Sequence, residues 1–399
     1  MDLKRLRVIT PLATCQAALL TNNIIVIGLN GLVGYAMLGN DKSLATLPIA
    51  TYIAGTAAMT FPASIWMKRF GRRHGFLVGT IIGLFGALVC VAALFMSSFA
   101  VLCFGTLMIG AYNAFGQYYR FAAAEMSSPE RAGRAISLVL AGGIVGAIAG
   151  PEAAKLTKDL FAVQFAGTYA FLACLAFVAF AIQAGLDLPT VKEEPEQSES
   201  RPLSQIARQP GFIMAVLSST LGYAGMNMLM TSAPIEMISH HHGYADAAFV
   251  IQWHALAMFA PSFATGALIK RAGVIAIIRL GALLMFACAV AAALLGTGVN
   301  AFWVSLVLLG VGWNFLYVGG STLLIRNYRV SERAKAQALH DQTVFLSTAI
   351  STILSGWLLQ RVGWQILLGV TAAMAAIVLL ASIWLAESNR KVPQFAKSR

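Results

Sequence analysis

The chain contains twelve apolar stretches, each about as long as a helix must be to cross a lipid bilayer. About 20 helical residues span the roughly 30 Å of hydrocarbon. Only 11% of the residues are charged and 58% are hydrophobic, which would leave too much apolar surface on a water-soluble globule. The sequence therefore predicts an all-α membrane protein with twelve transmembrane helices, near 10–35, 44–67, 75–96, 99–121, 134–156, 165–187, 211–238, 247–269, 274–296, 300–324, 338–360 and 364–386.

The positive residues are unevenly distributed on this predicted topology. With the N-terminus inside, 24 of the 28 Lys and Arg residues fall on the inner side and 4 on the outer side. Because positive loops stay in the cytoplasm, the net charge of +12 reports topology and gives no support to nucleic-acid binding. We expect a multi-pass protein of the bacterial inner membrane, with both termini in the cytoplasm.

A polar segment divides the predicted helices into six and six. Residues 191–210 are rich in Glu, Ser, Pro and Gln, a composition typical of a solvated cytoplasmic linker. It separates an N-terminal half, 1–190, from a C-terminal half, 211–399. The halves repeat each other at an offset of 202 residues. The matching positions are Lys68, Arg69 and Gly71 with Lys270, Arg271 and Gly273, and Glu130, Arg131 and Ala132 with Glu332, Arg333 and Ala334.

The loop between the second and third spans resembles the major facilitator superfamily, whose pattern there is G-x-x-x-D-R-x-G-R-R. Residues 63–73 read ASIWMKRFGRR, with Lys68 in place of the family's Asp. That Asp usually helps to close the inner face against the start of the eleventh helix. One interpretation is therefore a reversed pair of Lys68 with Asp341, and the other is a solvated Lys68 with an unrelated Asp341. The resemblance implies the major facilitator fold, with two pseudo-symmetric halves and alternating access.

The fifth predicted span is rich in glycine, like the glycine-rich fifth helix of many superfamily members. Small residues at about one-turn spacing allow neighbouring helices to approach closely. We therefore expect packing or hinging at Gly142, Gly143, Gly146 and Gly150.

Two motifs in neighbouring spans contain soft metal ligands. The seventh span has Met226 and Met230 and the eighth has His254 and Met258, each pair four residues apart and thus on one helical face. In antiparallel neighbours, residues at equal depth have a constant index sum, and Met226 with Met258 and Met230 with His254 both give 484. Thioether and imidazole donors favour Cu(I). The competing interpretation is packing, since Met is an adaptable packing residue, although a His inside a membrane helix tends to be functional.

These motifs resemble the CcoA-like (CalT) copper transporters of the superfamily, in which M-x-x-x-M and H-x-x-x-M are tied to copper. The resemblance implies a monomeric secondary transporter that imports copper by alternating access and supplies the assembly of cbb3-type cytochrome oxidase. Copper would be the substrate, and no cofactor is expected. The implied metal ligands are Met226, Met230, His254 and Met258.

An organic solute is the alternative cargo, because residues 312–317 (GWNFLY) also resemble relatives that carry riboflavin. A drug exporter is a third interpretation. An enzyme is disfavoured, since the sequence shows no nucleophile with a base partner and no phosphate-binding loop. Flat rings and amides suited to a flavin are Tyr112, Asn113, Gln117, Tyr118, Trp253, Trp313 and Asn314, and the candidates for a proton step are Arg120, Glu125, Glu152, Asp187 and Asp341.

Overall fold

The computed structural model describes residues 3–38, 44, 47–128, 131–186 and 200–391, and the regular structure in these ranges is helical. The α-helices are α1 (Leu3–Met37), α2 (Leu47–Phe70), α3 (Arg72–Phe95), α4 (Phe99–Gly116), α5 (Tyr119–Glu125), α6 (Ala132–Ala141), α7 (Gly143–Thr157), α8 (Ala166–Ala184), α9 (Leu203–Ala207), α10 (Pro210–Ser239), α11 (Tyr244–Phe259), α12 (Ser262–Ala272), α13 (Val274–Leu294), α14 (Val299–Ile325), α15 (Arg333–Val362) and α16 (Trp364–Lys391).

Every predicted span corresponds to one helix or to two consecutive helices. The fourth, fifth and eighth spans are divided, into α4 with α5, α6 with α7, and α11 with α12. In the described ranges ten helical stretches are long and apolar enough to cross a membrane, and the bent pair of α11 and α12 makes eleven. α2, which corresponds to the predicted second span, has 24 residues and is not among these stretches; it contains three threonines and Pro62. The predicted all-α membrane fold is confirmed.

The chain forms two compact units. Unit 1 comprises Met1–Glu196 with Gln337–Ala349, and unit 2 comprises Gln197–Ala336 with Ile350–Arg399. The middle of α15, Gln337–Ala349, therefore belongs to unit 1, and both of its ends belong to unit 2. The predicted linker, 191–210, lies outside the described residues as far as residue 199, and its last part forms α9. The boundaries of the predicted halves stay a prediction.

In unit 1, the glycines of the fifth span pack directly on α1. A Cβ on Gly146 would lie 2.7 Å from the backbone nitrogen of Thr21 and 2.8 Å from the carbonyl carbon of Leu20. A Cβ on Gly142 would collide with the carbonyl oxygen of Ala13. Because the colliding atoms are backbone atoms, they cannot be moved by a change of rotamer. The expected packing role of these glycines is confirmed.

Gly146→Ala is expected to lower the thermal midpoint of the purified protein in detergent, because one added methyl group forces α1 and α7 apart at a cost of about 1–3 kcal/mol. Gly28→Ala, on α1, is the matched control, since a Cβ there meets nothing within 4 Å. A heat-denaturation series followed by size-exclusion chromatography compares the two variants. Equal midpoints for both variants would contradict the close approach of α1 and α7.

The sequence repeat has a counterpart in the backbone. Gly71 precedes α3 with φ 87° and ψ 161°, and Gly273 precedes α13 with φ 88° and ψ 153°. Positive φ of this kind strains any residue that carries a Cβ, so both units need glycine at this turn. Each turn follows a Lys-Arg pair at the end of the preceding helix.

The described end of the linker is fixed to unit 2 by an ion pair. Arg201 donates from Nε to Glu332 Oε1 and from Nη2 to Oε2, both at 2.6 Å. The carboxylate of Glu332 also accepts from the backbone N–H of Arg329 at 2.9 Å. Hydrogen bonding to this carboxylate raises the pKa of Arg201 above its ordinary value. The glutamate of the second repeat therefore anchors the chain just before α9.

Candidate functional site

A chain of buried amides runs through the helices of unit 1. Asn23 of α1 donates from Nδ2 to Asn113 Oδ1 of α4 at 2.8 Å, and Gln117 donates from Nε2 to the same oxygen at 3.0 Å. Asn113 in turn donates to Thr56 Oγ1 of α2 at 3.3 Å. All four side chains are buried. A buried polar group without a hydrogen bond costs folding free energy. These hydrogen bonds therefore favour the observed packing of α1, α2 and α4.

The amide chain ends at a buried ion pair. Arg120 of α5 donates from Nη1 to Gln117 Oε1 at 3.0 Å and from Nη2 to Asp341 Oδ1 at 2.6 Å. His340 Nδ1 lies 2.7 Å from the same carboxylate oxygen. The side chains of Arg120 and Asp341 are 1% and 0% exposed. Charged residues at such depth are rare unless they are paired, and they commonly serve transport or proton transfer.

Of the two interpretations of Lys68, the pairing with Asp341 is wrong, and the solvated Lys68 agrees with the structure. Lys68 is exposed at the end of α2, whereas Asp341 is buried and is neutralised by Arg120. The residue of the basic loop that contacts α15 is instead Arg72, which pairs with Glu125 at 2.6 Å and donates to Gln337 Oε1 at 2.6 Å. The position of Lys68 in the family's motif therefore did not predict that Arg120 is the cation paired with Asp341.

A cluster of aromatic rings lies in unit 2, where α10 and α11 pack against α14. Trp313 and Tyr317 of α14 stack with ring centroids 5.1 Å apart and planes 20° apart. Tyr223 of α10 meets both rings edge-on at 5.3 Å, and Phe259 of α11 meets Trp313 edge-on at 5.7 Å. We call these four residues the aromatic cluster. Trp313 Nε1 is buried and has no hydrogen-bond partner among the described residues.

Asn314 lies beside the aromatic cluster and links both parts of the broken eighth span. Its Nδ2 donates to the carbonyl of Met258 in α11 at 2.7 Å and to Ser262 Oγ in α12 at 2.6 Å. Its Oδ1 accepts from Thr265 Oγ1, also in α12, at 2.7 Å. α11 and α12 are bent by 41° at this break. Pro261 at the break lacks the N–H that a continuous helix would use.

His254 of α11 is fully buried and is oriented by α14. Its Nδ1 lies 2.7 Å from the carbonyl oxygen of Leu306. Because a carbonyl only accepts, Nδ1 donates and Nε2 keeps a lone pair. Nε2 is buried and has no hydrogen-bond partner among the described residues. The imidazole therefore presents an acceptor that suits either an N–H group or a metal ion.

Of the four predicted metal ligands, His254 and Met258 of α11 lie against α14, and Met226 and Met230 lie on α10. Met226, His254 and Met258 are buried, and Met230 is half-buried. α10 and α11 each pack more extensively against α14 than against one another. In the described ranges, no three His, Cys, Asp or Glu side chains are placed to hold one metal ion. That finding does not extend to methionine ligands, so the predicted Met and His site stays a prediction.

The residues predicted for an organic ring belong to both units. Trp313 and Asn314 lie together in unit 2, whereas Tyr112, Asn113, Gln117 and Tyr118 belong to unit 1. Trp253 lies outside the aromatic cluster: it is 43% exposed and packs edge-on against Trp303 at 5.9 Å. Sequence reasoning missed Tyr223, Phe259 and His340. Only His340 carried a signal, as an imidazole beside an aspartate inside an apolar span.

Comparison with known proteins agrees with this architecture. The chain matches the Major Facilitator Superfamily over residues 12–329 and 223–399. It is 39% identical over 380 residues to the riboflavin transporter RfnT of Brucella anthropi, with 94% of this chain and 95% of that protein covered. It is 28% identical over 370 residues to YdeG of Bacillus subtilis, an uncharacterized transporter of the same superfamily, with 88% and 86% covered.

Solved structures share the fold. The transporter FucP in the outward conformation superposes with a TM-score of 0.77 at 14% identity, covering 94% of this chain and 98% of that one. A bacterial homologue of the iron transporter ferroportin gives a TM-score of 0.74 at 15% identity, covering 95% and 99%. At these identities the likeness concerns the fold alone. Sequence match, helical architecture and structural likeness agree, and the chain belongs to the Major Facilitator Superfamily as a multi-pass secondary transporter.

Proposed function

We propose that this protein carries riboflavin, or a flavin closely similar to it, across the bacterial inner membrane. The observation that carries the proposal is the 39% identity to a riboflavin transporter, which extends over 94% of the chain. The excess of positive residues on the inner side supports cytoplasmic termini. The solute would move by alternating access, the mechanism expected of a secondary transporter built from repeats.

The chemistry of unit 2 supports a flavin as cargo. The flavin ring system is flat and aromatic, and it carries two carbonyl groups with an imide N–H between them. Stacking on aromatic side chains stabilises such rings, and Tyr223, at the edge of the aromatic cluster, is only half-buried. His254 Nε2 can accept from an N–H, and Trp313 Nε1 can donate to a carbonyl. Both atoms are without partners in the described structure.

Copper is less well supported as cargo. The relative RfnT, which is 39% identical to this chain, transports riboflavin rather than a metal ion. A lone-pair nitrogen on His254 suits Cu(I), but it suits an imide equally well. The methionines separate the two cargoes, because thioether sulfur matters for copper and contributes only packing to flavin binding.

Uptake assays with both cargoes test the proposal. Cells that neither make nor import riboflavin are expected to accumulate labelled riboflavin when they express this protein, and unlabelled riboflavin is expected to compete. The double variant Met226→Leu, Met230→Leu nearly preserves side-chain volume and is expected to retain riboflavin uptake within about twofold, since neutral packing changes cost little. His254→Ala is expected to lose it.

The same assays would identify copper as the cargo by a different result. Accumulation of radioactive copper by the wild type, lost in the methionine double variant and unaccompanied by riboflavin uptake, would establish the metal instead. Expression of each variant is compared by quantitative immunoblotting of membranes, so that a lower amount of protein is not mistaken for lost transport.

A further inference from the structure

A buried acid and imidazole in unit 1 hold two proton-accepting atoms that have no hydrogen-bond partner in the described part of the chain. Asp341 uses Oδ1 for both Arg120 and His340, at 2.6 and 2.7 Å. Its second oxygen, Oδ2, has no hydrogen-bond partner among the described residues, and neither does His340 Nε2. Both residues are 0% exposed. We call His340 and Asp341 the acid–imidazole pair.

The arrangement is incomplete for a purely structural ion pair. A buried carboxylate normally has both oxygens satisfied, because the cost of desolvating it is otherwise only partly offset. Since the carboxylate accepts, His340 Nδ1 donates to it, and in the neutral imidazole Nε2 then carries a lone pair. The cluster with Arg120 is then neutral overall. It can take up one proton, which bonds either to Asp341 Oδ2 or to His340 Nε2, and its net charge becomes +1.

The groups that face the acid–imidazole pair are mostly charged. α5 supplies Arg120 and Glu125, and α3 supplies Arg72, which donates to Gln337 one turn before Asp341. The Tyr118 ring lies 5.1 Å from the Arg72 guanidinium carbon. Arg72 and Glu125 neutralise each other, which leaves Arg120 as the cation that opposes proton uptake. Protonation therefore acts chiefly on the bond between Arg120 and Asp341.

The ion pair is also connected to the amide chain. Arg120 donates through Nη1 both to Gln117 Oε1 and to the Gln117 carbonyl, at 3.0 and 3.2 Å. Gln117 donates to Asn113, which also holds Asn23. A guanidinium released from Asp341 would change the position of Gln117 and, through it, of α1 and α4. A continuous hydrogen-bonded path thus runs from the Oδ1 atom of Asp341 to α1 and α4.

We propose that the acid–imidazole pair of His340 and Asp341 binds the proton whose movement drives solute transport, and that Arg120 transmits its protonation to the amide chain. The inference rests on the proposed function only for the choice of riboflavin as the transported probe. With a neutral solute and one proton per cycle, an inward gradient of one pH unit supports about tenfold accumulation, because tenfold in concentration corresponds to about 1.4 kcal/mol.

Proteoliposomes that contain a trapped pH-sensitive dye test the coupling, with the membrane potential clamped. Adding riboflavin to the wild type is expected to acidify the interior, and a pH gradient is expected to produce about the tenfold accumulation given above. Asp341→Asn is expected to abolish both effects while retaining exchange of labelled for unlabelled riboflavin, which requires no net proton movement. Asp159→Asn, a carboxylate that is 65% exposed, is the control and is expected to behave as the wild type.

A second variant covers the case in which Asp341→Asn does not fold. His340→Gln keeps the ion pair with Arg120, and it is expected to change the pH dependence of uptake, because a neighbouring group that shares the proton is lost. Riboflavin entry into wild-type vesicles without acidification overturns the proton proposal and leaves the proposed cargo intact.

A failure of the cargo assignment gives a different result. If the wild type neither accumulates nor exchanges riboflavin, infrared difference spectra of the purified protein at high and low pH decide the proton site alone. A protonation signal of a buried carboxyl or imidazole that is present in the wild type and lost in Asp341→Asn or His340→Gln supports the acid–imidazole pair. Identical spectra in the wild type and both variants overturn it.

Discussion

Arg120→Met is expected to destabilise the protein by about 3–5 kcal/mol, because it leaves the carboxylate of Asp341 buried without its cation. Asp341 is 0% exposed, and Arg120 Nη2 is its closest charged partner at 2.6 Å. The guanidinium also packs over the ring of Phe121, with 4.4 Å from its carbon to the ring centroid. Methionine fills much of the same volume, so the loss reports the charge rather than a cavity.

A double variant separates charge from packing. Arg120→Met combined with Asp341→Asn removes both charges, and replacing a buried pair by neutral groups is often nearly neutral. We therefore expect the double variant to recover most of the thermal midpoint that Arg120→Met loses, measured in detergent at neutral pH. A strongly non-additive cycle shows direct coupling. Additive losses in the two single variants would mean that the contact contributes little.

Trp313→Phe is expected to raise the half-saturation concentration for riboflavin by about 5- to 150-fold. The substitution keeps a ring against Phe259, Tyr223 and Tyr317, so stacking within the aromatic cluster largely survives. It removes the indole N–H, whose buried nitrogen has no acceptor in the described structure. A flavin carbonyl left without its donor in a buried site costs about 1–3 kcal/mol. This free energy corresponds to an increase of about 5- to 150-fold in the half-saturation concentration.

The matched control is Trp303→Phe. Trp303 lies on the same helix and its Nε1 also has no partner among the described residues, but its ring packs against the exposed Trp253, away from the aromatic cluster. Initial rates of riboflavin uptake over a range of concentrations give both half-saturation values. An equal change in the half-saturation concentration of the two variants, or no change in either, would show that Trp313 does not bind riboflavin.

Much of the fold could be predicted from the sequence, because lipid leaves a backbone few options. A chain that crosses hydrocarbon must satisfy its own N–H and C=O groups, so long apolar runs become helices. The breaks within spans were less predictable. The eighth span bends at Pro261, which is a recognisable signal, whereas the break at Gln117 and Tyr118 contains no proline and follows Gly116, one of many glycines in the spans. Such a break depends on tertiary contacts.

The candidate site was only partly predictable, because its contacts join distant parts of the chain. Arg120 and Asp341 are separated by 221 residues, and no periodicity in the sequence relates them. The partner of His254 is the backbone carbonyl of Leu306, which has no signature in the sequence. Trp313 and Tyr317 were predictable neighbours, since residues four apart share one face of a helix. Tyr223 comes from another helix and was not.

The amide of Asn314 has a mechanical consequence for the eighth span. It holds Met258 on one side of Pro261 and Ser262 and Thr265 on the other. The side chain of Asn314 thus bridges the two helices at a break where Pro261 interrupts the main-chain hydrogen bonding. Any group that competed for this amide and broke its hydrogen bond to Met258 would allow the angle between α11 and α12 to change.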